Sequence, residues 1–225
     1  RIPGRTVYDN ASLSAVFFPS VRLAEGIRHT VTLSTSMTDT AAQGLTSPVN
    51  WNFTVYKSGG WHIPQLIDGS TTTTSSFQIA MDNSGNIIAV SRRYNGTRYS
   101  IWANRYPPSG GWGPAQLITT DNTGDAQDPR VAMDGSGNAV VVWQQSDGTR
   151  TNIWANRYTP LGGWGTATLI ETDNSGSAFS PQAAMDGSGN AIAVWQQWGG
   201  SHYHVWANYY KPLGGWSTDA PIEND

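Results

Sequence analysis

Apolar and polar residues alternate along much of this chain, and the pattern is written three times. The clearest copy reads VAMDGSGNAVVVWQQ (131–145), NIWANRY (152–158) and GGWGTATLI (162–170). In the middle segment Ile153, Ala155 and Arg157 alternate with Trp154, Asn156 and Tyr158, the period of two that a half-buried strand requires. The run 139–145 is β-branched and apolar and reads as another strand. GSGN at 135–138 is turn chemistry, because Gly and Asn take positive φ at low cost. SDGT (146–149) and PLGG (160–163) turn again. One copy therefore predicts four antiparallel strands: A (131–134), B (138–145), C (152–158) and D (164–170). No segment shows a convincing 3.6-residue stripe, so the expected fold class is all-β.

The period is regular. Asp82, Asp134 and Asp186 are 52 residues apart, and so are Trp102, Trp154 and Trp206. Trp61, Trp112, Trp164 and Trp216 follow at 51, 52 and 52. Four short strands in about 50 residues is the size of a propeller blade. Three four-stranded blades are expected, at 77–118, 128–170 and 180–222, preceded by a lone D strand at 61–67. Three blades do not close a ring. The chain is thus expected either to be part of a longer array or to complete a ring with further copies of itself, as a homo-oligomer.

The units "DGSGNA…W…IWANRY…GGWG" over 61–225 resemble sialidase-type propeller repeats of large secreted bacterial proteins. That resemblance implies a β-propeller-type repeat region (57–225). It does not carry the family's Asp-box (Ser-x-Asp-x-Gly-x-Thr-Trp), since the turn here is Pro-x-Gly-Gly-Trp. Residues 1–56 lie outside the repeat. Their order is a strand ending in Pro19, then LAEG (23–26), a strand from His29 and a closing WNFTV (51–55). This is similar to the later part of a bacterial Ig-like domain of the S-layer type, with His29 where that family has Tyr. A partial Ig-like β-sandwich is therefore implied for 1–56.

Composition narrows the function. Charged residues make up 13% and Trp numbers 11, which suits an extracellular, secreted or cell-surface all-β protein. A net charge of −3 gives no basic footprint for nucleic acid. Cys is zero, which removes disulfides, thiol catalysis and Cys-based zinc sites. The longest strongly apolar run, 139–143, is far too short to span a membrane.

Candidate chemistry is sparse. Trp198 lies in a polar turn where the other copies have Asp147 or Asn95, so it is the first candidate for stacking on a sugar, with Asp147, His202 and Asp128 on neighbouring loops. Trp faces at repeated positions are expected to pack between blades instead. Asp121, Asp125 and Asp173 sit beside Gly turns and are candidate calcium ligands, although their spacing is not that of an EF-hand. Their plain reading is turn capping, as it is for Asp82, Asp134 and Asp186. His202 and His204 would share one strand face. A sialidase-like glycoside hydrolase needs an Arg cluster, a Tyr nucleophile and a carboxylate in one pocket. Only Glu25, Glu171 and Glu223 occur, and the last two share a repeat position. The expected function is an extracellular structural or adhesive module that contacts carbohydrate or another surface component. The alternatives are a fragment of a glycoside hydrolase and a self-assembling subunit with no small-molecule ligand. An inward pocket of non-repeating Arg, Tyr and carboxylate groups would mark the enzyme. Shallow, repeat-related sites between blades would mark a lectin.

Overall fold

A computed structural model describes residues 3–9, 14–21, 23–24, 28–33, 35, 44, 46–54, 66–67, 71–121 and 123–223. Among these the regular structure is strand, in antiparallel pairs. Two compact units divide the chain, residues 1–64 and 65–225.

In the first unit, β1 (Gly4–Asp9) pairs with β2 (Ser14–Pro19), and β3 (Arg28–Leu33) pairs with β4 (Val49–Thr54). β2, β3 and β4 fall at the places expected for strands, and the four strands form two separate two-stranded ladders. β3 alternates exposed and half-buried residues, as its sequence requires. Its His29 ring stacks on Phe53 of β4 at 5.5 Å. Glu25, Trp61, His62 and most of the expected strand 61–67 lie outside the described residues.

The second unit is three consecutive sheets. The first holds β5 (Thr74–Met81), β6 (Ile87–Tyr94), β7 (Tyr99–Tyr106) and β8 (Gln116–Leu117) in that order. The second holds β9 (Ala126–Met133), β10 (Ala139–Ser146) and β11 (Thr151–Thr159), with β12 (Gly163–Trp164) and β13 (Thr168–Leu169) both pairing with β11. The third repeats this as β14 (Ala178–Met185), β15 (Ala191–Trp198), β16 (Tyr203–Lys211), β17 (Gly215–Trp216) and β18 (Ala220–Pro221).

Burial explains the run AVVVW. Ala139, Val141 and Trp143 join one core cluster with Ile88, Val90 and Ile101 of the first sheet. Val140 and Val142 join a second cluster with Ala191, Ala193 and Trp195 of the third. The second sheet is covered on both faces, so the period of two disappears from its hydrophobicity.

Two boundaries differ from expectation. Strand A was expected at 131–134 but begins at Ala126 and ends at Met133. Its extra length contains a bulge, with two residues, Asp128 and Pro129, opposite Trp143. Asp128 sits there at φ 49°, and the same kink recurs at Ser76 and Ser180. Strand D was expected to be continuous over 164–170 but is two short pieces. The Asn156 side chain explains the interruption. Its Nδ2 donates to the Gly165 carbonyl at 3.0 Å and to the Ile118 carbonyl of the preceding sheet at 2.9 Å. Asn104 makes the same pair of bonds to Gly113 and to Ile67, and Asn208 reaches back to Ile170. The Ile67 carbonyl thus occupies, before the first sheet, the place that Ile118 and Ile170 occupy before the next two.

Each A–B turn is closed by its own Asp. Asp134 Oδ1 accepts the Ser136 and Asn138 amides, both at 2.9 Å, and Oδ2 accepts Asn138 Nδ2 at 2.7 Å. Asp82 and Asp186 repeat the pattern. Asp134 is buried, so Asp134→Ala should lower stability by about 1–2 kcal/mol. A lower urea midpoint with an unchanged slope would report it, and an unchanged midpoint would refute the capping role.

Candidate functional site

The B–C turns and the D–A linkers meet at one end of each sheet. Tyr99 N donates to Asp125 Oδ1 at 2.8 Å, and Ser146 N to the Asp125 carbonyl at 3.2 Å. One repeat later, Trp198 N donates to the Ser177 carbonyl at 3.1 Å. The contact is close enough to dictate glycine. A Cβ on Gly176 would fall 2.1 Å from the Trp198 carbonyl oxygen, and one on Gly124 would fall 2.3 Å from that of Ser146.

Trp198 is 37% exposed and Tyr203 is 51% exposed. Their rings meet edge to face at 5.2 Å and 66°, and Phe179 meets Tyr203 at 6.3 Å. Three elements supply this corner: the end of β15, the start of β16 and the second residue of β14. The second sheet has Ser146, Thr151 and Gln127 at the equivalent positions, and the first has Tyr94, Tyr99 and Ser75, its two tyrosine rings 5.1 Å apart. An aromatic pair thus recurs in the first and third sheets, while the indole and Phe179 are particular to the third. Trp198 was legible in the sequence. Tyr203 and Phe179 were not singled out, although aligning the repeats position by position exposes Phe179, where the other copies have Ser75 and Gln127.

His202 lies in the same turn. Its ring is 4.2 Å from that of His204, and its Nδ1 is 2.8 Å from Ser201 Oγ. His204 Nδ1 stands 3.7 Å from Glu223 Oε1. Asp147 belongs to the second sheet and serves its own turn. The Arg150 amide, the Asn152 side chain and the Thr149 amide hold its carboxylate down to about 2. Asp128 is the bulge residue of β9. The four candidate ligand residues therefore divide between two sheets.

The acidic residues behave similarly. Asp121 accepts Thr123 N at 2.9 Å, and Asp173 accepts Ser175 N at 2.9 Å, at equivalent places in separate linkers. Asp125 is bonded to Tyr99 as above. Among the described residues no group of three or more His, Cys, Asp or Glu side chains is arranged to hold a metal ion.

One carboxyl stands apart. Glu171 is fully buried in the linker after β13. Its Oε1 accepts Gln197 Nε2 at 3.2 Å, while Oε2 has no hydrogen-bond partner among the described residues. Gln197 also donates to the Asp173 carbonyl and accepts Trp195 Nε1 at 2.8 Å. Burial raises the Glu171 carboxyl to about 7. The Gln197 bond and Arg150 oppose the rise, and the charges of Asp219 and Asp173 add to it. Asp219 occupies a position where the other repeats have Ala115 and Ala167, and it binds Thr172 through both N and Oγ1.

The repeated aromatic residues pack between sheets. Tyr158 and Trp164 meet at 5.4 Å, and Tyr210 and Trp216 at 5.5 Å. Arg105 of the first sheet lies over Tyr158 of the second, and Arg157 of the second lies over Tyr210 of the third.

These features define an all-β protein of consecutive antiparallel sheets with an aromatic corner at one loop end. No family model and no curated protein matches the chain. Solved structures do. It is similar to an endo-arabinase from Bacteroides thetaiotaomicron VPI-5482, at 16% identity over 72% of this chain and 61% of that one, with a TM-score of 0.43. It is similar also to a glycosyl hydrolase from Bacteroides ovatus, at 14% identity over 68% of this chain and 50% of that one, with a TM-score of 0.44. A third is a glycoside hydrolase of the mannoside phosphorylase family that targets β-1,2 mannosidic linkages in Candida mannan. It shares 14% identity over 68% of this chain and 49% of that one, with a TM-score of 0.44. The chain spans about half to three-fifths of the length of these proteins. No helix among the described residues is long and apolar enough to cross a membrane.

Proposed function

We propose that this chain is a carbohydrate-binding module of an extracellular or cell-surface protein. In this reading the three sheets are blades of a propeller-type array, and residues 1–56 are the later part of an Ig-like domain. The observation that carries it is the aromatic corner of Trp198, Tyr203 and Phe179. Two partly exposed rings edge to face offer an apolar surface framed by polar turns, which suits the C–H face of a pyranose. The second sheet holds its shape with Ser146, Thr151 and Gln127 at these places, so the scaffold does not require rings there, and the first sheet's Tyr94–Tyr99 pair lacks the indole and the Phe179 ring of this corner. The reading takes no metal.

The test is native electrophoresis through gels cast with arabinan, xylan, mannan or β-glucan. Retardation is expected in at least one gel. Trp198→Ala and Tyr203→Ala should each weaken it on the order of tenfold, the loss of one aromatic face, with an unchanged circular-dichroism spectrum. Free migration in all four gels, or retardation that survives both substitutions, would sink the proposal.

A second reading, a fragment of a glycoside hydrolase, has one observation in its favour. A carboxyl raised to about 7 is the state in which a general acid works at neutral pH. Glu171 has no exposed surface, however, and a proton donor must reach its substrate. Release of reducing sugar from the same four polysaccharides, abolished by Glu171→Gln, would reverse the order of the two readings.

A further inference from the structure

A cleft of about 400 Å³ opens between the second and third sheets, away from the aromatic corner. Trp216 and Tyr210 form one wall, and Arg157, Thr168, Thr172 and Ser217 line the rest. The volume lies in the range of small-molecule sites, near its lower end. The chemistry is mixed in a particular way. Trp216 is half-buried against the second core cluster and still contributes to the lining. Around it stand hydroxyls, two amides and a guanidinium, and no lining residue is acidic. Arg157 has a buried Nε–H without an acceptor among the described residues. Such a donor calls for an oxygen partner.

The hydroxyl set is specific to this junction. Where the third sheet has Ser217, the second has Gly165. Where the second sheet has Thr166 and Thr168, the first has Pro114 and Gln116. The junction between the first and second sheets therefore lacks three of the four Ser and Thr hydroxyls, keeping Thr120 at the place of Thr172, although it has the same Arg–Tyr–Trp stack. Thr172 is held in place by Asp219, a residue that no other repeat carries at that position. The scaffold does not need those three hydroxyls, since the same joint forms without them one repeat earlier.

We infer that this cleft is a second carbohydrate subsite, sized for a single neutral pyranose ring. An indole wall suits the apolar face of the sugar, and hydroxyls that both donate and accept suit its rim. The inference rests on the carbohydrate reading above but uses none of the residues of the aromatic corner.

The test is saturation-transfer difference NMR on the intact chain with free glucose, galactose, mannose and xylose. Transfer to ring C–H protons is expected for at least one sugar. Thr168→Phe, which fills the cleft from an exposed strand residue, should remove it at least tenfold. Ser217→Ala should reduce it by a smaller factor. The same measurement on Trp198→Ala removes any share of the corner; transfer should remain in that variant and be lost when Thr168→Phe is added to it. No transfer from any of the four sugars overturns the subsite, and so does transfer in Trp198→Ala that survives the added Thr168→Phe. Loss of transfer in Trp198→Ala overturns it too, by assigning the signal to the corner. Failure of the gel assay alone, with transfer intact and sensitive to Thr168→Phe, removes the corner and leaves the cleft standing.

Discussion

Trp143→Ala should cost this protein about 3–5 kcal/mol of stability, the range for deleting a fully buried aromatic side chain. Trp143 is 0% exposed and fills the space between the first and second sheets, against a cluster that includes Ile88, Val90 and Ile101. The indole is also the start of a polar relay. Its Nε1 donates to Gln145 Oε1 at 2.9 Å, and Gln145 Nε2 donates to the Asp121 carbonyl at 2.9 Å. Packing between the sheets is thereby tied to the conformation of the D–A linker. Trp143→Phe separates the two contributions. It keeps most of the apolar volume but strands Gln145 Oε1 in the core, so it should fall in between, at about 1–3 kcal/mol. Urea denaturation followed by tryptophan fluorescence and by circular dichroism measures both variants. A loss below about 1 kcal/mol for the alanine variant would mean that the first and second sheets do not depend on each other as described.

Stability should fall as pH rises from 5 to 8, and Glu171→Gln should remove a large part of that fall. In the unfolded chain the Glu171 carboxyl ionises near its ordinary value of 4.5, whereas in the folded protein it holds its proton up to about 7. Below 4.5 both states are protonated and nothing is lost. Between 4.5 and 7 the unfolded chain releases a proton that the folded protein keeps, so rising pH favours unfolding. Above 7 the loss is complete and constant. Its size is at most about 3 kcal/mol, and partial hydration of the linker would lower it. Asp219 and Asp173 repel its charge and add to the effect of burial, and the Gln197 hydrogen bond and Arg150 only partly offset the rise. Glutamine preserves the acceptor for Gln197 and cannot ionise, so the variant should be more stable than the native protein at pH 8 and nearly equal to it at pH 4. Thermal unfolding across this range, compared between the two proteins, isolates Glu171 from every other titrating group. Parallel curves would show that the carboxyl is not buried as described.

Strand order and turn positions were legible in the sequence because both are local. GSGN closes a hairpin through its own Asp134, and 153–158 reads as a strand from its alternation even though both faces of β11 pack into cores, Ile153 and Ala155 into one and Trp154 and Tyr158 into the other. The outer strand was not legible. What breaks it is a bond from Asn156, eight residues upstream of Trp164, to a backbone that would otherwise pair regularly. The unusual character of Glu171 was hidden for a similar reason. Its partners Gln197, Asp173 and Asp219 come from three different segments, and only the fold brings them around one carboxyl. The aromatic corner stands between these cases. Trp198 departs from the repeat visibly, but its two companions gain meaning only once β14, β15 and β16 are laid side by side.

The backward-reaching asparagines have a consequence for how the array comes apart. Asn104, Asn156 and Asn208 each satisfy a carbonyl belonging to the segment before them, at Ile67, Ile118 and Ile170. Each sheet is therefore coupled to its predecessor by the same rung, and distant sheets share none. A chain tied in this way approximates a one-dimensional lattice with nearest-neighbour coupling. Its cooperativity is set by the weakest junction, the rung together with the core packed across it. A lesion at Asn156 would loosen the coupling of the first sheet to the second, whereas a lesion at Asn104 would leave the junctions among the three sheets intact.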